Sequence, residues 1–157
     1  MRETARAWAA GLRDRGWIVV SPVAVDSDHT FYGERDSGLG PWLDFVRSTY
    51  ARGSKMALVG VSNGGIAAFK AASLRPKYFD ALVAAPGFTA EPARSLPPTM
   101  LVVGEHDPWR SPANATKSTM DALGLEVRLQ IISDAGHGLF DHVDTEDVLR
   151  WIHGLRR

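Results

Sequence analysis

Ser62 lies in the stretch "LVGVSNGGIAAFK" (58–70), where an apolar run gives way to an alanine-rich one. Gly60-Val61-Ser62-Asn63-Gly64 is a G-x-S-x-G pattern, and its place between a β-branched strand and a helix gives the pattern chemical meaning. A turn straight from strand into helix crowds the backbone around its central residue. Glycines at 60 and 64 are expected to relieve that crowding and leave the serine hydroxyl exposed. A helix beginning at Asn63 aims its free N–H groups and positive dipole end at the same spot. An oxygen gaining negative charge would be stabilised there, with the Asn63 N–H as an oxyanion donor. The competing explanation is a plain tight turn in a chain with 15 glycines.

A serine hydroxyl becomes a nucleophile only beside a base. His137, in "DAGHGLF", sits between glycines past the end of a predicted strand, on the same sheet edge as Ser62. His106, in "VVGEHDPW", competes for that role. The loop around His106 also carries Glu105 and Asp107, and a catalytic histidine needs a carboxylate to hold its tautomer and stabilise its cation. Asp107, followed by the stiff Pro108, is the assignment; Glu105 and Asp134 are the runners-up. His29, His142 and His153 read as surface residues, with His29 near enough to the active edge to touch substrate. Phe31, Tyr32, Phe88, Trp109 and Phe140 are the aromatic candidates for a substrate pocket, and Phe88, Trp109 and Phe140 are taken as substrate-binding. Each also qualifies as a packing residue, because aromatics dominate core burial.

The elements that must position these groups follow from periodicity. Ala5, Trp8, Ala9 and Leu12 recur at helical spacing over 3–15, and Gly16 is a fitting stop. "WIVVSPVAV" (17–25) has the continuous apolar, β-branched character of a parallel strand covered on both faces. A polar, glycine-rich loop fills 26–40, and Pro41 opens a helix over "PWLDFVRSTYARG". "KMALVGV" (55–61) is the next strand, followed by a helix over 63–74 that stops before Pro76. Further strands are predicted at 80–87, 99–104 and 126–133, with helices at 112–123 and 145–155. Strands alternating with helices predict a three-layer α/β/α arrangement around a mostly parallel sheet. In such a sheet, sites form beyond the carboxyl ends of the strands, where Ser62, Asp107 and His137 all fall.

With 157 residues, 45% hydrophobic and 23% charged, the chain suits one domain over 1–157 with a sizeable core. Lys plus Arg and Asp plus Glu balance at 18 each, so no net field draws the protein to nucleic acid or an anionic membrane. The absence of cysteine excludes disulfides, thiolate metal sites and a cysteine nucleophile. No apolar run reaches the roughly 18 residues of a spanning helix, and "MRETARAWAA" lacks the apolar core of a signal peptide. Cytoplasmic localisation is the default expectation.

At "GVSNGG", "VVGEHDPW" and "AGHG" the sequence resembles the α/β-hydrolase superfamily, in which these are the nucleophile elbow, the acid loop and the histidine loop. The resemblance runs over nearly the whole chain and is nearest to small carboxylesterases, feruloyl esterases and polyhydroxyalkanoate depolymerases. It implies Ser62 as nucleophile, His137 as general base and acid, Asp107 as its orienting carboxylate and the Asn63 backbone as one oxyanion donor. It also implies an acyl-serine intermediate, a small or polymeric ester as substrate, and neither metal nor organic cofactor. The family's first strands, the last of which leads to a second oxyanion N–H, have no counterpart here, so a truncated form of the fold is expected. Removing one such donor typically costs about 100- to 1000-fold in rate. The strand "KMALVGV" would then present an open edge, filled either by "WIVVSPVAV" or by a second chain in a homodimer. The short link "TAEPARSLPP" (89–98) leaves no room for a large lid. A serine esterase is the expectation; the alternative is a catalytically impaired remnant serving as an oligomeric binding protein, and a thioesterase or acyltransferase would share the triad.

Overall fold

The computed structural model describes residues 9–22, 39–138 and 145–154. His29, Phe31, Tyr32, Phe140 and His142 lie outside the described residues. Helix α1 includes residues 9–13 and is closed by Gly16, whose φ of 78° turns the chain while the Trp17 N–H donates to the Leu12 carbonyl at 3.1 Å. Then follow α2 (Leu39–Tyr50), β1 (Ala57–Gly60), α3 (Asn63–Leu74), a 3-10 turn (Pro76–Tyr78), β2 (Ala81–Ala84), β3 (Thr99–Gly104), α4 (Arg110–Ala122), β4 (Val127–Ile132) and α5 (Thr145–Gly154). The four strands pair in parallel in the order β1-β2-β3-β4.

Alternation along β2 and β3 divides the core between the two sheet faces. Leu82, Ala84, Leu101 and Val103 face α2, α3 and α4 through Leu43, Phe69, Ala72 and Met120. Ala81, Val83, Met100 and Val102 face Val148 and Ile152 of α5, with Trp17 and Trp151 packed beside them. Every residue of β2 and β3 is buried, which is why both read as continuous apolar runs rather than alternating ones. The three-layer α/β/α arrangement expected from the sequence is therefore present.

One predicted element does not form as expected. Residues 17–22 belong to no strand, and 23–25 lie outside the described residues. A strand needs a ladder partner, and the run stands off the outer edge of β1. A cavity of about 470 Å³ lies there, lined by Trp17, Ile18, Val20, Trp42, Met56 and Leu58 among others. Ile18 is consequently 66% exposed. Trp17 is held instead from the other side, where its indole meets the His153 ring edge-on at 5.9 Å. Among the described residues, no helix is long and apolar enough to cross a membrane.

Parallel strands deliver their carboxyl ends to one rim. Ser62, Asp107 and His137 follow β1, β3 and β4 by two, three and five residues (from Gly60, Gly104 and Ile132), so chain direction alone brings three distant segments together.

Candidate active site

Ser62 occupies a strained backbone position, with φ 55° and ψ −123°. Such a conformation costs about 1–3 kcal/mol in a non-glycine residue and persists only where its surroundings enforce it. Here the Ser62 N–H donates to the Ala85 carbonyl at 3.3 Å, the Gly65 N–H donates to the Ser62 carbonyl at 2.8 Å, and Ala85 ties back to Gly60 at 2.8 Å. Close approach makes two glycines obligatory. A Cβ on Gly60 would lie 2.1 Å from the Gly64 carbonyl oxygen, and one on Gly65 would lie 2.5 Å from that of Gly87. Gly64 differs from expectation, because a Cβ there would meet nothing within 4 Å. The elbow is relieved by Gly60 and Gly65, since the second crowded contact is with the 86–87 turn after β2.

Asp107 leaves β3 with its side chain fully buried. A buried carboxylate requires hydrogen-bond partners. Its Oδ1 accepts the Trp109 N–H at 2.8 Å, an Asx turn across Pro108. Both carboxylate oxygens face the Nδ1 of His137, at 3.3 Å for Oδ1 and 3.1 Å for Oδ2. The Nε2 of the same ring stands 3.3 Å from Ser62 Oγ. The imidazole is about half exposed.

Backbone bonds stitch the acid loop to the histidine loop. The Glu105 N–H donates to Ile132 and the His106 N–H to Ala135, both at 2.9 Å. The competing side chains contact the histidine loop at Asp134. His106 Nε2 faces Asp134 Oδ1 at 3.9 Å, and Glu105 Oε2 accepts the Asp134 N–H at 3.3 Å. His153 sits on α5 against Trp17. Of the residues weighed from the sequence, Ser62, His137 and Asp107 form one hydrogen-bonded line, and His106, Glu105, Asp134 and His153 make no hydrogen bond to it through their side chains among the described residues.

Asn63 is the first residue of α3 and is exposed beside the serine. Phe88 is only 5% exposed and belongs to the core, so it lies behind the rim rather than bare within a cleft. Trp109, half-buried, packs edge-on against Phe88 with ring centroids 6.1 Å apart. The link after β2 forms no helix or strand over 85–98, and the buried Thr116 hydroxyl ties it to α4 by donating to the Thr89 carbonyl at 2.7 Å. Sequence reasoning missed the Trp109 backbone as a partner of Asp107. The signal was the Asp-Pro-Trp order itself, which favours an aspartate accepting an N–H two residues on.

A family profile described as alpha/beta hydrolase fold matches residues 38–141, and the chain belongs to that family. Among the curated proteins no sequence matches. Among solved structures, the chain is similar to a predicted CIB-like hydrolase from Thermoplasma acidophilum, with 24% identity and a TM-score of 0.52 over 80% of this chain and 63% of that one. An alpha-beta serine hydrolase homologue from Coxiella burnetii gives 18% identity and a TM-score of 0.65 over 98% of this chain and 76% of that one. An esterase from Pyrobaculum calidifontis gives 15% identity and a TM-score of 0.62, over 85% of this chain and 63% of that one. These likenesses are likenesses of fold. The chain spans just under two thirds of the length of the Thermoplasma and Pyrobaculum proteins.

Proposed function

We propose that the protein is a serine carboxylic-ester hydrolase working through an acyl-serine intermediate. The observation that carries this reading is the continuous line from Asp107 through both nitrogens of His137 to Ser62 Oγ. With Nδ1–H donating to Asp107, Nε2 is left as the acceptor for the serine proton. Ser62 Oγ attacks the ester carbonyl as Nε2 takes its proton. The carbonyl oxygen becomes an oxyanion at the amino end of α3, where the Asn63 N–H donates to it. The imidazolium, stabilised by the Asp107 carboxylate, then protonates the leaving alcohol, and the acyl group stays on Ser62. Water deprotonated by His137 attacks the acyl-serine and releases the acid, restoring the free hydroxyl.

The short link over 85–98, which forms no helix or strand, supports an open serine. Short-chain, aryl and polymeric esters fit such a site, with Trp109 as the aromatic wall nearest the acid. A second reading, an impaired remnant acting as an oligomeric binding protein, is favoured by β1: among the described residues its outer edge pairs with no strand. Hydrolysis of p-nitrophenyl butyrate by the wild type and by Ser62→Ala separates the two. Turnover that disappears with the substitution supports the esterase. Turnover that survives it removes Ser62 as nucleophile, and no turnover in either protein favours the binding role.

A further inference from the structure

The loops that hold Asp107 and His137 also gather a second set of side chains on their outer side. Glu105 and His106 precede the acid, and Asp134 precedes the histidine by three residues. One carboxylate oxygen each from Glu105 and Asp134 and one imidazole nitrogen of His106 all lie within 4.8 Å of one another. We propose that these three residues bind a divalent transition cation of the zinc type, which clips the acid loop to the histidine loop beside the catalytic groups.

The donor set argues for this class of ion. Two carboxylates with one imidazole suit zinc and its neighbours, whereas magnesium and calcium take oxygen ligands. Zinc binds such donors at about 2.0–2.2 Å, so tetrahedral ligands stand about 3.4 Å apart. His106 Nε2 and Asp134 Oδ1 are already 3.9 Å apart. Both side chains are largely exposed, and rotation about exposed side-chain bonds is what must bring three donor atoms that lie within 4.8 Å of one another to that spacing. Three protein ligands leave the fourth position to water.

The charges are arranged to match. Among the described residues, neither Glu105 nor Asp134 is ion-paired with a lysine or arginine, although the two carboxylates are neighbours. The nearby Arg110 guanidinium donates to the Glu105 backbone carbonyl at 3.2 Å rather than to a carboxylate. The site is also separate from the triad. Asp107 is buried and turned towards His137, whose own nitrogens face Asp107 and Ser62.

The proposal requires no catalytic activity, so binding tests it independently of the esterase reading. Isothermal titration of metal-free protein with zinc chloride should show one saturable equivalent, together with a raised unfolding temperature, and magnesium chloride should produce neither. His106→Gln and Asp134→Asn should each weaken zinc binding by about tenfold or more. His137→Ala should retain it. Melting of the metal-free variants checks that they fold, and Glu105→Gln replaces either one that does not. Absence of saturable binding overturns the site, as does binding unchanged in both His106→Gln and Asp134→Asn. Binding lost only in His137→Ala overturns it too, by moving the ion to the triad.

Discussion

Gly104, the last residue of β3, lies against the backbone of Ala135: a Cβ built on the glycine would sit 2.3 Å from the Ala135 carbonyl oxygen and 2.6 Å from that of Gly136. The strand that delivers Asp107 thus touches the loop that delivers His137, and no side chain fits between them. Gly104→Ala must push the loops apart, because the obstacle is backbone. A misplacement of about 1 Å in a catalytic constellation can cost on the order of 100-fold in rate. The expected result is a fall in kcat/KM of about that size towards a p-nitrophenyl ester in a protein that still melts cooperatively. Gly64→Ala, at an open helical position, should by contrast raise the unfolding temperature slightly, since alanine is about 0.5–1 kcal/mol better than glycine within a helix.

In the proposed mechanism Asp107 acts on the histidine rather than on the substrate. Asp107→Asn keeps the shape of the site but can offer its N–H₂ to Nδ1, leaving the reactive nitrogen in the wrong tautomer. A loss of about 10,000-fold in kcat is expected, with KM little changed. Steady-state kinetics alongside a thermal melt check this, and a loss of only a few-fold would show that the carboxylate does not orient the ring.

Away from the site, Asp44 on α2 receives bonds from Arg75 Nη2 and Nε at 2.8 and 2.9 Å and from the Tyr78 hydroxyl at 2.8 Å. The Arg75 bonds first, and the Tyr78 bond second, hold the Asp44 carboxyl at about 2, down from its ordinary 3.8. A carboxyl depressed in the folded state adds stability that is complete above the unfolded value and is lost as pH falls towards the folded one. Stability should therefore decline between about pH 4 and pH 2, and Asp44→Asn should flatten that part of the curve. The same hydrogen bond to Asp44 raises the Tyr78 phenol above its usual 10. Its contribution is present below pH 10 and is lost as pH rises beyond that. Denaturant midpoints measured across both ranges test the two signs.

The grouping of Ser62, Asp107 and His137 was more legible in the sequence than one of its supporting elements. Ser62, Asp107 and His137 could be singled out because each follows a predicted strand, and parallel strands place their carboxyl ends on one rim. β2 and β3 were readable because burial on both faces demands unbroken apolar runs. "WIVVSPVAV" carries the same composition, yet its described part forms no strand, because composition cannot supply the neighbour a ladder needs. Gly64 was chosen over Gly65 because the motif sets its spacing along the chain, whereas the crowding comes from Gly87, beyond the next strand. Phe88 was placed at the rim by its position after β2. The edge-on contact with Trp109 and the surrounding core draw it inward, and neither contact is local in sequence.

The proposed hydrolysis rests on activation of Ser62 by His137 and Asp107. Its most direct test is covalent labelling with a fluorophosphonate, followed by intact-mass and peptide mass spectrometry. One adduct per chain is expected on the peptide bearing Ser62, absent in Ser62→Ala and strongly slowed in His137→Ala and Asp107→Asn. Adducts on another residue, or labelling of Ser62 at an undiminished rate without the His137 imidazole, would contradict it.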